Sequence, residues 1–320
     1  MTTARSHLVT PGGDGCYHCV QRCVRRAFLC GGDCYTGQSF EHRKAWVEER
    51  LHHLGSCFAI AIHAYAVMSN HLHVVVQIDS AVLSTWSDDE VAARWVQLFP
   101  PADAEGAAVE LKRQCLLADA ARIDVIRRRL GDLSWFMRCL AEPIARRANR
   151  EDGCKGRFWE GRYKCQLLCD ECALIAAMAY VDLNPIRAGI SEQLETSTHA
   201  SVHDRITAAQ ASPETLAQPL RPVIGVKRHA LSVSTADYLL MLDWTGRVLA
   251  PGKRGVIAEC APAVLSLFDR TPERWTMRVR GYSSGWMRAA GSANDLVAYA
   301  ERIGQRWLKG IRLALQLASG

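Results

Sequence analysis

The sequence contains no apolar run approaching the roughly eighteen residues that a membrane-spanning helix requires. Its opening, MTTARSHLVTPGGDG, lacks the hydrophobic segment of a secretory leader. Together these absences exclude a helical membrane span and set the expectation of a cytoplasmic protein with no membrane partner. Internal repeats and sustained heptads are also missing, which excludes a solenoid and a long coiled coil. Charged residues make up 22% and hydrophobic residues 49%, a balance that belongs neither to a disordered nor to a collagen-like chain. Cysteine, by contrast, is plentiful. Thirteen cysteines in 320 residues would suggest disulfides in a small secreted domain, but in a chain of this size without a leader they are expected to remain thiols. The odd count agrees with that. Cysteines at 16, 19 and 23 and at 165, 169 and 172 invite a zinc reading, against which buried thiols are favoured.

The net charge of +6 is concentrated in arginine clusters, at Arg127, Arg128 and Arg129 and again at Arg146, Arg147 and Arg150. Such clusters attract phosphate backbones by counterion release, although arginine-rich helix faces are more often simply solvated. Patterning predicts a strand over 15–28, a helix over 38–54 and a strand over 58–78. Residues 80–130 change character, with Asp88, Asp89 and Glu90 and the pair Pro100 and Pro101, and read as an insertion. Helical spacing returns over 133–150, with Pro143 expected to bend or interrupt it. A short strand over 156–168 and a helix over about 172–183 follow. Residues 208–222, rich in Ala, Pro and Gln, are the best linker candidate, separating a domain over 1–207 from a mainly helical region over 223–320.

The sharpest local feature is Met68-Ser69-Asn70-His71-Leu72-His73-Val74-Val75-Val76, a His-x-His in a strand-forming run. Residues two apart on a strand share a face, so both imidazoles emerge side by side while Leu72, Val74 and Val76 enter the core. This makes a ready pair of metal ligands, or simply two histidines on a strand face. A second element, Tyr180-Val181-Asp182-Leu183-Asn184-Pro185-Ile186-Arg187-Ala188-Gly189, ends a helix whose core face is Leu174, Ala177, Met178 and Val181. Tyr180 and Asn184 are four apart and can reach a common site. A phenol is a poor nucleophile unless assisted, and a divalent ion on the two histidines supplies such help by polarising and orienting a phosphodiester. Taken alone, Tyr180 also reads as an ordinary helix-surface tyrosine.

The His-x-His strand, the segment Gly-Arg-Phe-Trp-Glu-Gly-Arg-Tyr-Lys at 156–164 and Tyr-x-x-x-Asn-Pro-Ile-Arg-Ala-Gly at 180–189, in this order, resemble the REP-associated tyrosine transposases. These are a branch of the single-tyrosine HUH transposases. The resemblance covers about residues 16–190, interrupted by the 80–130 insertion. The segment Tyr17-His18-Cys19-Val20-Gln21-Arg22-Cys23 looks like the family's first strand, with Cys23 where a glycine is usual. Asp243-Trp244-Thr245-Gly246-Arg247 looks like an extension found in longer members. The resemblance implies an α+β fold whose core is a ferredoxin-like antiparallel sheet with packed helices. It implies Mg2+ or Mn2+ held by His71, His73 and Asn184, and Tyr180 as the nucleophile of a single-stranded DNA strand transferase. The link would be a 5′-phosphotyrosine, and the partner would be single-stranded DNA with hairpin repeats, engaged by a monomer or homodimer.

Single-stranded DNA is gripped by cations along its backbone and by aromatic planes under its bases. Lys155, Arg157, Arg162 and Lys164 alternate with Phe158, Trp159 and Tyr163, so Lys155, Arg157, Trp159, Arg162, Tyr163 and Lys164 are the candidate DNA contacts. Arg187 is a further candidate at the scissile phosphate, or else a cap on the helix before it. The competing reading is a domesticated regulator that binds DNA hairpins without cleaving them.

Overall fold

The computed structural model describes residues 9, 13–24, 29–32, 37–103, 106–249, 261–268 and 271–319. The first strand, β1 (Gly15–Arg22), is shorter than its apolar pattern suggested, and residues 25–28 of that expectation lie outside the described residues. After it come α1 (Arg43–Cys57), β2 (Ile60–Val67) and β3 (His71–Ile78). The continuous strand expected over 58–78 is therefore a hairpin. Met68, Ser69 and Asn70 form its turn, closed by Met68 N–H donating to His71 O at 2.9 Å. Both strands are buried over most of their length, so neither shows the polar alternation that would have marked a turn between them.

The 80–130 segment is helical: α2 (Ser80–Thr85), α3 (Asp88–Leu98), α4 (Gly106–Leu117) and α5 (Ala120–Leu130). Its acidic triplet is the first turn of α3, where Ser87 and Glu90 form a capping box and the carboxylates offset the exposed N–H groups. Arg127 is held by Asp88 at 2.6 Å, and Arg129 lies over the Trp135 ring at 4.4 Å, so part of that arginine cluster is structural.

Helix α6 (Leu133–Glu151) runs unbroken through Pro143, so of the bend or interruption expected there the interruption does not occur. Proline at 143 leaves the carbonyl of Cys139, four residues earlier, without its helical donor. Arg50 on α1 fills that role, its Nε donating to Cys139 O at 2.9 Å. Strand β4 (Lys164–Leu168) occupies only the end of the strand expected over 156–168; before it, Cys23 and Trp159 form a single bridge. Then come α7 (Glu171–Asp182), α8 (Asn184–Arg187) and α9 (Ser201–Ala211).

Beyond Ala211 the chain forms a 3-10 turn (Pro213–Ala217) and then pairs again with the sheet. Strand β5 (Ile224–Gly225) adds to β2, and Gly225, at φ 79°, sits where a side chain would run into the Ile60 carbonyl. Helices α10 (Thr235–Leu249) and α11 (Pro272–Ser284), strand β6 (Ala289–Ala290) and helices α12 (Ala293–Arg302) and α13 (Ile311–Ala318) follow. Among the described residues the fold is mixed α+β, an open six-stranded sheet of order β5-β2-β3-β1-β4-β6 with thirteen α-helices. Pairing is antiparallel except between β4 and β6. Both sheet edges are thus supplied from beyond residue 222.

No described helix is long and apolar enough to cross a membrane, and no disulfide joins the described cysteines. Replacing Arg50 by Ala is expected to cost about 1–2 kcal/mol, the value of a buried carbonyl's lost donor. In a Pro143→Ala background the loss should shrink, because an alanine at that position brings its own N–H to Cys139 O. Urea midpoints of the four proteins check this; equal losses in both backgrounds contradict it.

Candidate active site

Register places the site residues in rows across the central strands. Opposite residues of an antiparallel pair share a face, so His71 sits beside Arg22, and His73 beside Val20 and then Lys164. The next row is Val75, His18 and Gln166. His18, His71 and His73 therefore occupy one face, as the His-x-His spacing predicts, while Leu72, Val74 and Val76 are buried on the other.

That face is covered by α7, whose residues 173–182 are all buried. The helix was expected to keep Tyr180 on a face apart from its core; instead it is packed all round, between the sheet and α11. Tyr180 retains 9% of its surface. Its ring lies 5.7 Å from the His73 ring and 5.9 Å from that of His18, both edge-on. The Arg187 guanidinium lies over the same phenol at 4.9 Å. Arg187 Nη2 donates to Ser283 Oγ at 2.8 Å, while its Nη1 is buried without a partner. Asn184 is buried, and its side-chain Nδ2 also has no partner.

The imidazoles are held neutral by burial. Desolvation lowers His18 and His71 to about 4, aided at His71 by the nearby Arg22 charge. His73 is driven well below its ordinary value, first by desolvation and then by His18, His71 and Arg187 around it. His71 Nδ1 meets Asn70 Oδ1 at 2.6 Å and His73 Nδ1 meets His18 Nε2 at 2.9 Å, which leaves the Nε2 atom of each uncommitted to the described residues. The ring centroids of His71 and His73 are 4.8 Å apart. Among the described residues no group of three or more His, Cys, Asp and Glu side chains is placed to hold a metal, and the cysteine sets form none. A divalent ion here would need the two Nε2 lone pairs and the Oδ1 of Asn184, since the unpartnered Nδ2 of that amide is a hydrogen-bond donor and no ligand for a cation. Neutral imidazoles fit such an ion, and their softness suits Mn2+ better than Mg2+.

The C-terminal region supplies the remaining walls, which no sequence signal announced. Tyr282 on α11 packs 5.7 Å from Tyr180 and 5.9 Å from His18, with its hydroxyl donated to Ala173 O at 2.7 Å. The end of α7 is fixed by the buried Asp182 carboxylate, which accepts from Ser201 Oγ, from Val202 N at 3.1 Å and from Tyr238 Oη of α10 at 2.7 Å. Gly246, in the Asp-Trp-Thr-Gly-Arg run, lets α10 approach α7: an added Cβ would stand 3.0 Å from Leu183 Cδ2.

The basic and aromatic segment divides by residue type. Lys155, Arg157, Arg162 and Lys164 are exposed. Phe158 and Tyr163 are buried, the Tyr163 hydroxyl 3.3 Å from Ser134 Oγ. Trp159 is half-buried, its indole N–H donated to Ala141 O at 2.8 Å.

No family model and no curated protein matches the chain. Among solved structures it is similar to one of a REP-associated tyrosine transposase bound to a REP hairpin, at 12% identity and a TM-score of 0.39, over 73% of this chain and 97% of that one. At that score the functional reading rests on the chain's own residues.

His63, fully buried on β2 with its Nε2 2.8 Å from Gln77 Oε1, gives the pH dependence its sign. Desolvation lowers it from 6.5 to about 4, so between these values the unfolded chain binds a proton that the folded chain refuses. Stability is then lost as pH falls, beginning near 6.5, and this residue alone contributes a loss of about 2 kcal/mol by pH 5. Urea unfolding at pH 7.5 and pH 5 measures it, and unchanged midpoints contradict it.

Proposed function

We propose that this chain cleaves and rejoins single-stranded DNA at hairpin-containing repeats through a 5′-phosphotyrosine on Tyr180. The observation that carries the reading is the approach of the Tyr180 ring to 5.7 Å from His73, with Arg187 over the same phenol. A nucleophile, two neutral imidazoles and a cation with an unpartnered buried N–H converge from a helix and a sheet. That is the donor set a phosphodiester needs. The order β4-β1-β3-β2, with α1 and α6 as its crossover helices, supports reading these four strands as a ferredoxin-like core.

Arg187 Nη1 is the donor for a non-bridging phosphate oxygen, and the phenol Oη is the attacking atom. Oη gives its proton to water and forms the new P–O bond as the bond from phosphorus to the 3′-oxygen breaks. The leaving strand takes up a proton and departs as a 3′-hydroxyl, while the 5′ fragment stays on Tyr180. Because one phosphodiester replaces another, a 3′-hydroxyl can reverse the step without ATP. A divalent ion such as Mg2+ or Mn2+, held by His71, His73 and Asn184, supplies Lewis-acid polarisation of the phosphate when bound. Arg22 beside His71 and Lys164 in the His73 row place cations on the same face, and Lys155, Arg157 and Arg162 extend the path of the backbone. Stacking of a base falls to Trp159, since Tyr163 is buried.

With a labelled hairpin substrate and Mn2+, the wild type is expected to give an adduct that survives denaturing electrophoresis. Tyr180→Phe should abolish it while hairpin affinity changes less than roughly tenfold, or 1.4 kcal/mol. An adduct in the Phe variant sinks the tyrosine assignment; hairpin binding by the wild type without any adduct favours the non-cleaving regulator. His73→Ala should remove both cleavage and its dependence on Mn2+ concentration, and undiminished cleavage rules out the metal site.

A further inference from the structure

Most polar side chains around Tyr180 have a role in the proposed chemistry, but His18 and Gln166 do not. Both are buried on the imidazole face, His18 at 5% and Gln166 at 7% exposure, where a polar group without purpose is costly. They form a chain with a fixed direction. It starts at the backbone carbonyl of Met287, which can only accept, and which receives Gln166 Nε2 at 3.3 Å. That orients the Gln166 amide, so its Oε1 faces His18 Nδ1 at 3.4 Å and the proton there belongs to His18. A neutral His18 with its proton on Nδ1 has a lone pair on Nε2. His73 Nδ1, 2.9 Å away, must then be the donor, which leaves the lone pair of His73 on Nε2. The two rings lie nearly parallel, 13° apart, with centroids at 5.1 Å, so the contact also fixes the rotation of His73.

We propose that His18, oriented by Gln166 and the Met287 carbonyl, is a positioning residue that holds His73 in the Nδ1–H tautomer and so presents its Nε2 lone pair for coordination. The proposal rests on the reading of His73 as a metal ligand. His71 has the same sense, its Nδ1 facing Asn70 Oδ1. The chain crosses three adjacent strands and ends just beyond α11, tying the C-terminal region to the electronic state of a histidine on β3.

Nitrogen-15 correlation spectra of the imidazoles in the metal-free full-length protein report the tautomer directly, independently of activity. The expected result is His73 protonated on Nδ1 in the wild type. In His18→Phe, which keeps a ring but removes the acceptor, the tautomer should become mixed or reversed. His18→Gln, whose Oε1 can stand in for Nε2, should restore it. Mn2+ affinity, measured by electron paramagnetic resonance, should fall roughly 10- to 100-fold in His18→Phe and recover in His18→Gln. A wild-type His73 protonated on Nε2 overturns the proposal, and this spectrum decides even if His18→Phe fails to fold. An unchanged tautomer and Mn2+ affinity in His18→Phe overturn it as well. If the tautomer responds as expected but no variant, nor the wild type, binds Mn2+, the relay stands and the metal reading of the preceding subsection falls.

Discussion

The register of β1 against β3 is the constraint on which the site depends. With Val20 opposite His73 and His18 opposite Val75, three histidines share one face of the sheet. A slip of one residue would send His18 to the opposite face and bring Tyr17 or Cys19 into its place. That register is protected by burial on both faces: Tyr17 and Cys19 are part of the core on the face away from the histidines, and His18 is buried on the other. The geometry of the imidazoles is therefore a by-product of packing the two central strands of the sheet.

The same economy governs the helix that carries the tyrosine. Residues 173–182 of α7 are buried throughout, so its position is set by neighbours on every side. Asp182 joins its end to α9 and α10, and desolvation raises the Asp182 carboxyl above its ordinary value despite the hydrogen bonds it accepts. Tyr282 packs against Tyr180 and Ser283 holds Arg187. The C-terminal region thus forms part of the wall of the site, as well as both edge strands of the sheet.

Much of the site was legible because its spacing survives folding. His-x-His on a strand specifies neighbouring side chains whatever the tertiary structure, whereas Tyr180 and Asn184 fall in successive helices, α7 and α8. What could not be read was non-local. His18 meets His73 only through strand register, and Tyr282 meets Tyr180 only through the docking of α11. The hairpin at 60–78 was hidden because strands buried on both faces lose the polar alternation that would locate their turn. Pro143 does not interrupt its helix, and the donor that replaces the missing N–H, Arg50, lies on another helix where no local pattern could announce it. In the segment 155–164 composition identified the cations, while the fold took Phe158 and Tyr163 into the core.

The proposed strand transfer requires Tyr180 Oη to become bonded to phosphorus. Digestion of the wild-type protein after incubation with a single-stranded hairpin and Mn2+, followed by mass spectrometry of the peptides, locates that bond directly. Nucleotide mass is expected on Tyr180 alone; mass on a different residue, or none on any peptide from a protein that has bound the hairpin, contradicts the proposed transfer.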